Sequence, residues 1–323
     1  MKAAVIERYG PPEVVRIKDV PKPMPADNEV LIRVRATTVN SGDARVRGLR
    51  VPRGVAPLVR LQMGFSGPKQ PIAGFEVAGE VEAVGGSVTR FKPGDRVVGS
   101  RGFAFGCHAE YICVAEDGAI ATIPESIGDV DAVSLLFGGV TSFVFFRLAH
   151  LKRGETILIN GASGAVGVMA VQIAKLDGVG VTGVCSTANV ELVSSLGADR
   201  VIDYKETDFT GTGETWDLIM ENVGNAPFSR VKGALKPGGR YLMVIGDLFQ
   251  MIGGLFNKQV IAPKGGSDAT ALNAENFREL VDLAADGKVR PVVDSTYRFE
   301  DIVKAHARVD TGRKVGSVVV TLD

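Results

Sequence analysis

Short apolar runs separated by proline and glycine dominate the first third of the chain. Residues 30–36 and 76–84 have the character of strands, and residues 91–98 predict a turn that leads into another strand. Prolines and glycines recur at short intervals between these runs. The pattern is typical of a compact, barrel-like all-β unit.

The pattern changes near Pro124. An apolar stretch within residues 126–150 is compatible with a helix, and short apolar strands then alternate with helical segments. The predicted strands are 156–159, 180–184, 200–203, 216–220 and 241–245, and the predicted helices are 165–176, 188–196 and 228–235. This alternation predicts a parallel, doubly wound sheet.

The last segment differs again. It predicts, in order, an amphipathic helix, a strand, a second helix and a final strand, over residues 276–287, 294–299, 300–309 and 317–322. This tail has too few residues for a core of its own, so we expect it to pack on the first domain. The fold class is therefore α/β, with a β-rich domain of residues 1–123 and 267–323 and a doubly wound domain of residues 124–266.

A glycine-rich loop follows the first strand of the doubly wound region. Glycines at this spacing arise by chance in a chain with 40 glycines, but this loop lies between a buried strand and an apolar helix, as a dinucleotide fingerprint requires. The helix N-terminus there offers N–H donors and a positive dipole to a pyrophosphate. The predicted binding residues are Gly161, Ser163, Gly164, Ala165, Val166 and Gly167. The alternative is a structural turn that binds no ligand.

The turn after the second strand bears on the choice of cofactor. NAD enzymes place a carboxylate there to bind the ribose 2′-hydroxyl, but this turn has none before Glu191. Hydroxyls and amides suit a 2′-phosphate, so we expect NADPH in preference to NADH. The predicted contacts are Ser186, Thr187, Asn189 and, from a later strand, Tyr204. The alternative is that the first three cap a helix.

The overall composition excludes several partners. Lys+Arg and Asp+Glu are both 37, so the basic excess typical of nucleic-acid binding is missing. The longest charge-free apolar run, residues 132–146, is shorter than the roughly 20 residues of a membrane span, and we expect no membrane partner. The three cysteines are widely spaced and form no disulfide framework, which favours the cytoplasm.

Several motifs together resemble the medium-chain dehydrogenase/reductase superfamily, on its zinc-independent quinone-oxidoreductase-like branch. They cover nearly the whole chain and comprise residues 39–43, 71–79, 91–97, 139–142, 161–167, 195–199, 221–224 and 238–239. The resemblance implies a GroES-like catalytic domain and a Rossmann domain, with the active site in the cleft between them. Members commonly dimerise, so it also implies a homodimer.

The chain departs from the zinc enzymes of that superfamily at the metal site. It has Phe75 at the position of the histidine in their Gly-His-Glu motif. It also has Asn40 near the position of a metal-binding cysteine. Cys107, His108 and Cys113 match no standard zinc spacing, so we expect no zinc. We expect the cysteines to be buried and the histidines to lie at the surface, namely His108, His150 and His306.

The resemblance also assigns roles to individual residues. It implies that Asn40 and Asp43 lie beside the nicotinamide as the candidate catalytic residues, with Thr141 on its carboxamide side. The further cofactor contacts that it implies are Asn222 and Val223 at the nicotinamide ribose, and Val244, Ile245 and Gly246 at the nicotinamide. Two alternatives remain open: Asn40 and Asp43 merely stabilise a turn, and Thr141 is a back-bonding helix residue.

A reductase without a metal suits particular substrates. Without a Lewis acid, hydride delivery favours an acceptor that is already electron-poor, such as a quinone or an α,β-unsaturated carbonyl compound. We therefore expect an NADPH-dependent oxidoreductase with a small-molecule substrate. The alternative is a dinucleotide-binding sensor or structural protein with little turnover.

Overall fold

The chain divides into two compact units. The computed structural model describes residues 1–50, 56–246, 254, 257–262 and 273–322. The first unit comprises Met1–Phe137 with Leu272–Asp323, and the second comprises Gly138–Ala271. The predicted domain boundary at 266/267 lies outside the described residues. The predicted boundary at 123/124 lies ahead of the helix Asp129–Leu148, and the observed division falls after Phe137.

The first unit is built mainly of strands. These are β1 (Lys2–Ile6), β2 (Val15–Asp19), β3 (Glu29–Val39), β4 (Glu76–Val84), β5 (Arg96–Ser100), β6 (Tyr111–Ala115), β7 (Ala119–Thr122), β14 (Val293–Arg298) and β15 (Ser317–Thr321). Its helices are α1 (Ser41–Gly48), α2 (Ala56–Met63), α7 (Ala274–Ala285) and α8 (Ile302–Asp310). The carboxyl-terminal segment thus lies in the same unit as the amino-terminal one.

The long strand β3 organises the sheet of the first unit. The strand order is β14-β15-β3-β4-β5-β7, and β6 also pairs with β3. All of these pairs are antiparallel except β14–β15. The last strand, β15, lies against β3, with Val318 opposite Val39. Alternate apolar side chains of the strands form one core with those of α8.

The second unit is a parallel sheet with helices. Its strands are β8 (Thr156–Asn160), β9 (Gly180–Cys185), β10 (Arg200–Asp203), β11 (Trp216–Glu221), β12 (Leu235–Met243) and β13 (Val260–Ile261). They lie in the order β10-β9-β8-β11-β12-β13, and all of their pairs are parallel. This is the strand order of the dinucleotide-binding sheet, in which ligands lie beyond the carboxyl ends where the order reverses, here between β8 and β11.

The helices of the second unit follow its strands. They are α4 (Ala165–Leu176), α5 (Val190–Ser195) and α6 (Phe228–Val231), and α3 (Asp129–Leu148) precedes the first strand, β8. The α/β class and the doubly wound sheet are thereby confirmed. Three predicted elements differ. The strand β12 begins at Leu235 rather than 241, the predicted helix 188–196 starts as a 3₁₀ turn, Thr187–Asn189, and the predicted helix 228–235 ends at Val231, before a 3₁₀ turn, Lys232–Ala234.

The helix α3 extends the apolar run at both ends. It is long and apolar enough to cross a membrane, with a mean hydropathy of 1.5, but 67% of that window is buried inside the protein. The helix has 20 residues and is therefore longer than the charge-free run 132–146, because it also includes the charged residues of 129–131 and Arg147. Since a buried core helix is apolar all round, length and composition alone assign it no membrane role.

Candidate active site

The glycine loop joins the carboxyl end of β8 to α4. The backbone N–H groups of Gly161 and Ala162 both donate to the carbonyl of Val184, at 3.1 and 3.0 Å, so the loop is fixed to the end of β9. The N–H of Gly164 donates to the carbonyl of Gly161, which closes the turn. Gly161 adopts a φ of 78°, a left-handed conformation that favours glycine.

The other two glycines of the loop are required for different reasons. A Cβ at Gly167 would lie 2.2 Å from the carbonyl oxygen of Gly161 and 2.6 Å from Cα of Ala162, so glycine permits close packing of helix and strand. Gly164 has an ordinary φ of −77°, and among the described residues a Cβ there would meet only the Gly161 oxygen, at 3.5 Å. The fold itself therefore does not demand glycine at 164, whereas close approach by a ligand does.

The N-terminus of α4 fits a pyrophosphate. The helix has 12 residues, begins at Ala165, and has Gly164 as an N-cap without any side-chain hydrogen bond. The first N–H groups of a helix have no partner within the helix, and the helix dipole adds positive potential. The turn that contains Ala165, Val166 and Gly167 thus offers backbone donors with which no side chain of the described residues forms a cap.

Side chains from two loops meet beside this turn. The Nδ2 of Asn189 donates to Oγ of Ser163 at 3.0 Å and to Oγ of Ser186 at 3.3 Å. The structure thereby brings together residues that lie after β8 and after β9. Neither Ser186 nor Asn189 caps a helix with its side chain, so the capping alternative is wrong for these two.

A carboxylate that the sequence analysis missed lies in the same region. Asp203 ends β10, and its pKa is lowered chiefly by a hydrogen bond from the Thr187 side chain and also by the Lys205 backbone N–H, whose nitrogen is 2.9 Å from Oδ1. The turn itself holds no carboxylate before Glu191, as the sequence indicated. Asp203 brings one beside it because β10 pairs with β9 in the sheet, which a reading of one loop along the chain does not reveal. Tyr204 follows, with 60% of its side chain exposed.

Glu221 supports the loop after β11. Its Oε1 accepts from the backbone N–H groups of Val223 and Gly224 at 2.7 and 2.6 Å, and its Oε2 accepts from Nδ2 of Asn160 at 2.7 Å. The residue is 1% exposed. The sequence carried a signal for this supporting role, because a carboxylate at the end of a buried strand requires partners. The motif at 221–224 does not by itself single out Glu221.

Asn222 is the residue that points most directly to a ligand. Its Nδ2 and Oδ1 are both buried, and neither has a hydrogen-bond partner among the described residues. Buried amides are rarely left unsatisfied, so a polar group from outside the chain fits here. A Cβ on Gly161 would lie 2.7 Å from a methyl of Val223, so this residue packs against the glycine loop.

The remaining predicted contacts lie around the same edge. The N–H groups of Val244 and Ile245 face the carbonyl of Glu221, at 3.2 and 3.4 Å, and Gly246 follows them partly buried. A Cβ on Gly138 would lie 2.0 Å from the carbonyl oxygen of Ala165, so α3 touches the start of α4. Thr141, three residues further along α3, lies on the same side of that helix.

In the first unit, Asn40 and Asp43 form a capping box at the start of α1. Oδ1 of Asn40 accepts from the N–H groups of Gly42 and Asp43, and Oδ2 of Asp43 accepts from the N–H of Asn40 at 2.9 Å. Oδ1 of Asp43 also accepts from the N–H of Gly74 at 3.0 Å. Asn40 and Asp43 are buried and stabilise this turn, and their place beside a nicotinamide stays a prediction.

A second buried carboxyl lies beside this turn. Burial raises the pKa of Glu76 to about 8, with the nearby Asp43 adding to the effect and a hydrogen bond from Thr38 opposing it. Burial also raises the pKa of Asp43. Since the backbone N–H groups of Asn40 and Gly74 stabilise the charge of Asp43, we assign the proton to Glu76 at neutral pH.

Two histidines lie where the sequence did not suggest. His108 and His306 are fully buried, and their rings meet edge to face with centroids 5.6 Å apart. Burial, with His108 and Arg47 nearby, lowers the pKa of His306 well below its ordinary value, so this ring is neutral. The surface assignment of both residues was wrong. His306 lies on the buried face of α8, and Nε2 of His108 lies 2.9 Å from the carbonyl oxygen of Thr38.

The side chains near Asn40 do not fit a zinc site. Phe75 offers no donor, Oδ1 of Asn40 is occupied by two backbone N–H groups, and burial raises the pKa of the Cys107 thiol so that it keeps its proton. Among the described residues, no group of three or more His, Cys, Asp or Glu side chains is placed to hold a metal ion.

Comparisons with known proteins agree with this architecture. Residues 26–125 match the family model described as an alcohol dehydrogenase GroES-like domain, and residues 196–320 match one described as a zinc-binding dehydrogenase. The quinone oxidoreductase of Sus scrofa is 32% identical over 100% of this chain and 98% of its own. The chain belongs to the medium-chain dehydrogenase/reductase superfamily. Within it, the chain falls on the quinone-oxidoreductase-like branch and is a nicotinamide-dependent reductase.

Two further members of the superfamily are similar over their whole length. The acryloyl-coenzyme A reductase of Metallosphaera sedula is 31% identical over 99% of this chain and 100% of its own. The structure of the quinone oxidoreductase from Coxiella burnetii superposes with a TM-score of 0.87 at 27% identity, over 100% of this chain and 99% of the other. The names of these relatives connect them with a quinone and with an unsaturated acyl thioester.

Proposed function

We propose that this protein is an NADPH-dependent reductase that delivers a hydride to a quinone or an α,β-unsaturated carbonyl compound without zinc. The observation that carries the proposal is the glycine loop at the switch point of the sheet, beside the buried amide of Asn222, which has no hydrogen-bond partner in the described part of the chain. The bound dinucleotide supplies the hydride.

The residues of the second unit bind and orient the cofactor. The first N–H groups of α4 bind the pyrophosphate, and open space at Gly164 lets it approach the backbone. Asn222 bonds a ribose hydroxyl through its unsatisfied amide. Ser186, Thr187 and Asn189 receive the 2′-phosphate through their hydroxyl and amide groups. The charge of the nearby Asp203 carboxylate, which accepts hydrogen bonds from Thr187 and a backbone N–H, opposes this binding.

The residues of the first unit support this choice of acceptor. Asn40 and Asp43 are held rigidly by their capping box, and the described residues around Phe75 and Cys107 offer no ligand set for a Lewis acid. A hydride acceptor in such a site must itself be electron-poor, as quinones and enones are. Relatives named for a quinone and for acryloyl-coenzyme A belong to this same chemical class.

The proposal is tested by cofactor oxidation. Affinities for NADPH and NADH are measured first, and NADPH consumption is then followed with a panel of quinones and enones. Faster consumption with an acceptor, together with tighter binding of NADPH, is the expected result. A bound cofactor that no acceptor oxidises would favour a sensing or structural protein instead.

We further propose a homodimer that works in the cytoplasm. Cys107, Cys113 and Cys185 are all free and buried, which suits a reducing compartment. Equilibrium sedimentation of the purified protein measures the assembly state, and a monomer at micromolar concentration would contradict the dimer.

A further inference from the structure

Three phenylalanine rings of the first unit form one cluster. The rings of Phe75, Phe103 and Phe105 meet edge to face, with centroids 4.9 to 6.3 Å apart. Phe105 is 6% exposed, whereas Phe103 is 81% exposed. A single exposed apolar side chain is ordinary, but Phe103 extends a packed aromatic cluster to the protein surface.

The backbone holds this phenylalanine cluster in place. Oγ of Ser100 donates to the carbonyl of Phe75 at 2.5 Å and accepts from the N–H of Gly102 at 2.9 Å. The N–H of Cys107 donates to the carbonyl of Gly74 at 3.3 Å. The loop that carries two of the rings is therefore attached to the segment that carries the third.

The backbone of Phe105 is strained. It has a φ of 52° and a ψ of −161°, a conformation that is almost confined to glycine. Such strain persists only where the surroundings impose it, and it is concentrated at functional sites. The residues around Phe105 therefore hold its ring in this position although its backbone conformation is unfavourable.

The phenylalanine cluster adjoins the turn that carries Asn40. A Cβ on Gly42 would lie 2.9 Å from Cε2 of Phe75 and 2.9 Å from Oδ1 of Asn40. The ring of Phe75 therefore packs against the capping box of α1, and the cluster continues from there to the exposed ring of Phe103. An aromatic surface and the candidate catalytic turn are neighbours within one unit.

We propose that the phenylalanine cluster binds the acceptor and selects planar conjugated rings, of the quinone class, over short linear enones. This inference rests on the proposed function and narrows its substrate class. An exposed aromatic face stacks on a flat ring over a large area, whereas a short linear enone covers little of it. The partly buried ring of Phe75 fixes the inner end of this surface, and Phe103 forms its outer end.

The test compares two exposed phenylalanines. Phe103→Ala removes the outer ring of the cluster, and Phe65→Ala removes a ring that is 70% exposed but lies outside it. Steady-state kinetics are measured with a naphthoquinone and with methyl vinyl ketone, and NADPH affinity is measured for each variant. Phe103→Tyr serves as the conservative variant that keeps the aromatic face.

The expected result is a selective loss. Phe103→Ala should lower kcat/KM for the naphthoquinone by about tenfold, mainly through KM, and change that for methyl vinyl ketone by less than about twofold. Phe103→Tyr should retain most of the naphthoquinone activity, and NADPH affinity should stay constant throughout.

Other outcomes separate this inference from the proposed function. If Phe103→Ala behaves like Phe65→Ala with both acceptors while the wild type still reduces them, the cluster is not the acceptor site, although the reductase assignment stands. If Phe103→Ala instead alters the sedimenting mass and leaves the acceptor preference unchanged, the ring serves a protein contact and the inference is overturned. If none of the acceptors lets the wild type oxidise NADPH, the proposed function itself fails.

Discussion

Gly164 provides the sharpest test of how the cofactor is bound. Gly164→Val places a side chain in space that the described part of the chain leaves open, because a Cβ there meets only the Gly161 oxygen, at 3.5 Å. The backbone, with φ −77° and ψ 171°, is one that valine adopts readily. The variant should therefore fold, at a cost of at most about 1 kcal/mol from a poorer N-cap.

The loss of binding should be much larger. A pyrophosphate at the N-terminus of α4 accepts charge-assisted hydrogen bonds from backbone N–H groups, each contributing roughly 1.5–3 kcal/mol. If the valine side chain prevents two of them, the cost is about 3–6 kcal/mol, which corresponds to a rise in Kd of roughly 100-fold to 10,000-fold.

Calorimetric titration with NADPH and with NADH measures the affinity, and thermal unfolding measures the stability. Gly164→Thr is the matched control, because threonine has the shape of valine and a hydroxyl that caps the helix. It should recover the Tm of the wild type and still fail to bind. Gly167→Ala, in contrast, should destabilise the fold, because its Cβ overlaps the backbone of Gly161. We expect it to lower the free energy of unfolding by about 1–3 kcal/mol.

The reasoning is refuted if the Gly164→Val protein binds both dinucleotides within about threefold of the wild type. The pyrophosphate would then lie elsewhere, and the glycine loop would be a structural turn. A variant that fails to fold, while Gly164→Thr also fails, would show that the fold itself requires glycine at this position.

Two further predictions concern carboxyl groups. Asp203→Asn removes a negative charge beside Thr187 and should raise the affinity for NADPH relative to NADH severalfold. Parallel titrations measure both affinities. An unchanged ratio would show that the 2′-phosphate does not bind in this region. The pKa of Glu76 is raised, so its contribution to stability is fully present below about pH 4.5 and is lost as the pH rises toward about 8, at roughly 1.4 kcal/mol per unit. Urea unfolding between about pH 5.5 and about pH 7.5 should therefore show a smaller loss of stability for Glu76→Gln than for the wild type, and equal losses would contradict the assignment of the proton.

The sequence by itself determined the features that are local along the chain. The glycine loop is one strand, one turn and one helix in succession, so a single run of residues was enough to predict the dinucleotide-binding turn at 161–167. The alternation of short apolar strands and helices likewise predicted the doubly wound sheet, because each strand of a parallel sheet requires a crossover before the next. Motifs spread over the whole chain added the superfamily.

The tertiary structure decided which distant residues meet. Asp203 reaches Thr187 because β10 pairs with β9, and Asn189 bonds Ser163 because the loops after β8 and β9 lie side by side. His306 is buried because the pairing of β15 with β3 sets the face of α8 that meets the core. Hydrophobic periodicity fixes which residues share one face of an element, but contacts between faces depend on strand order and register, which no single segment of the chain contains.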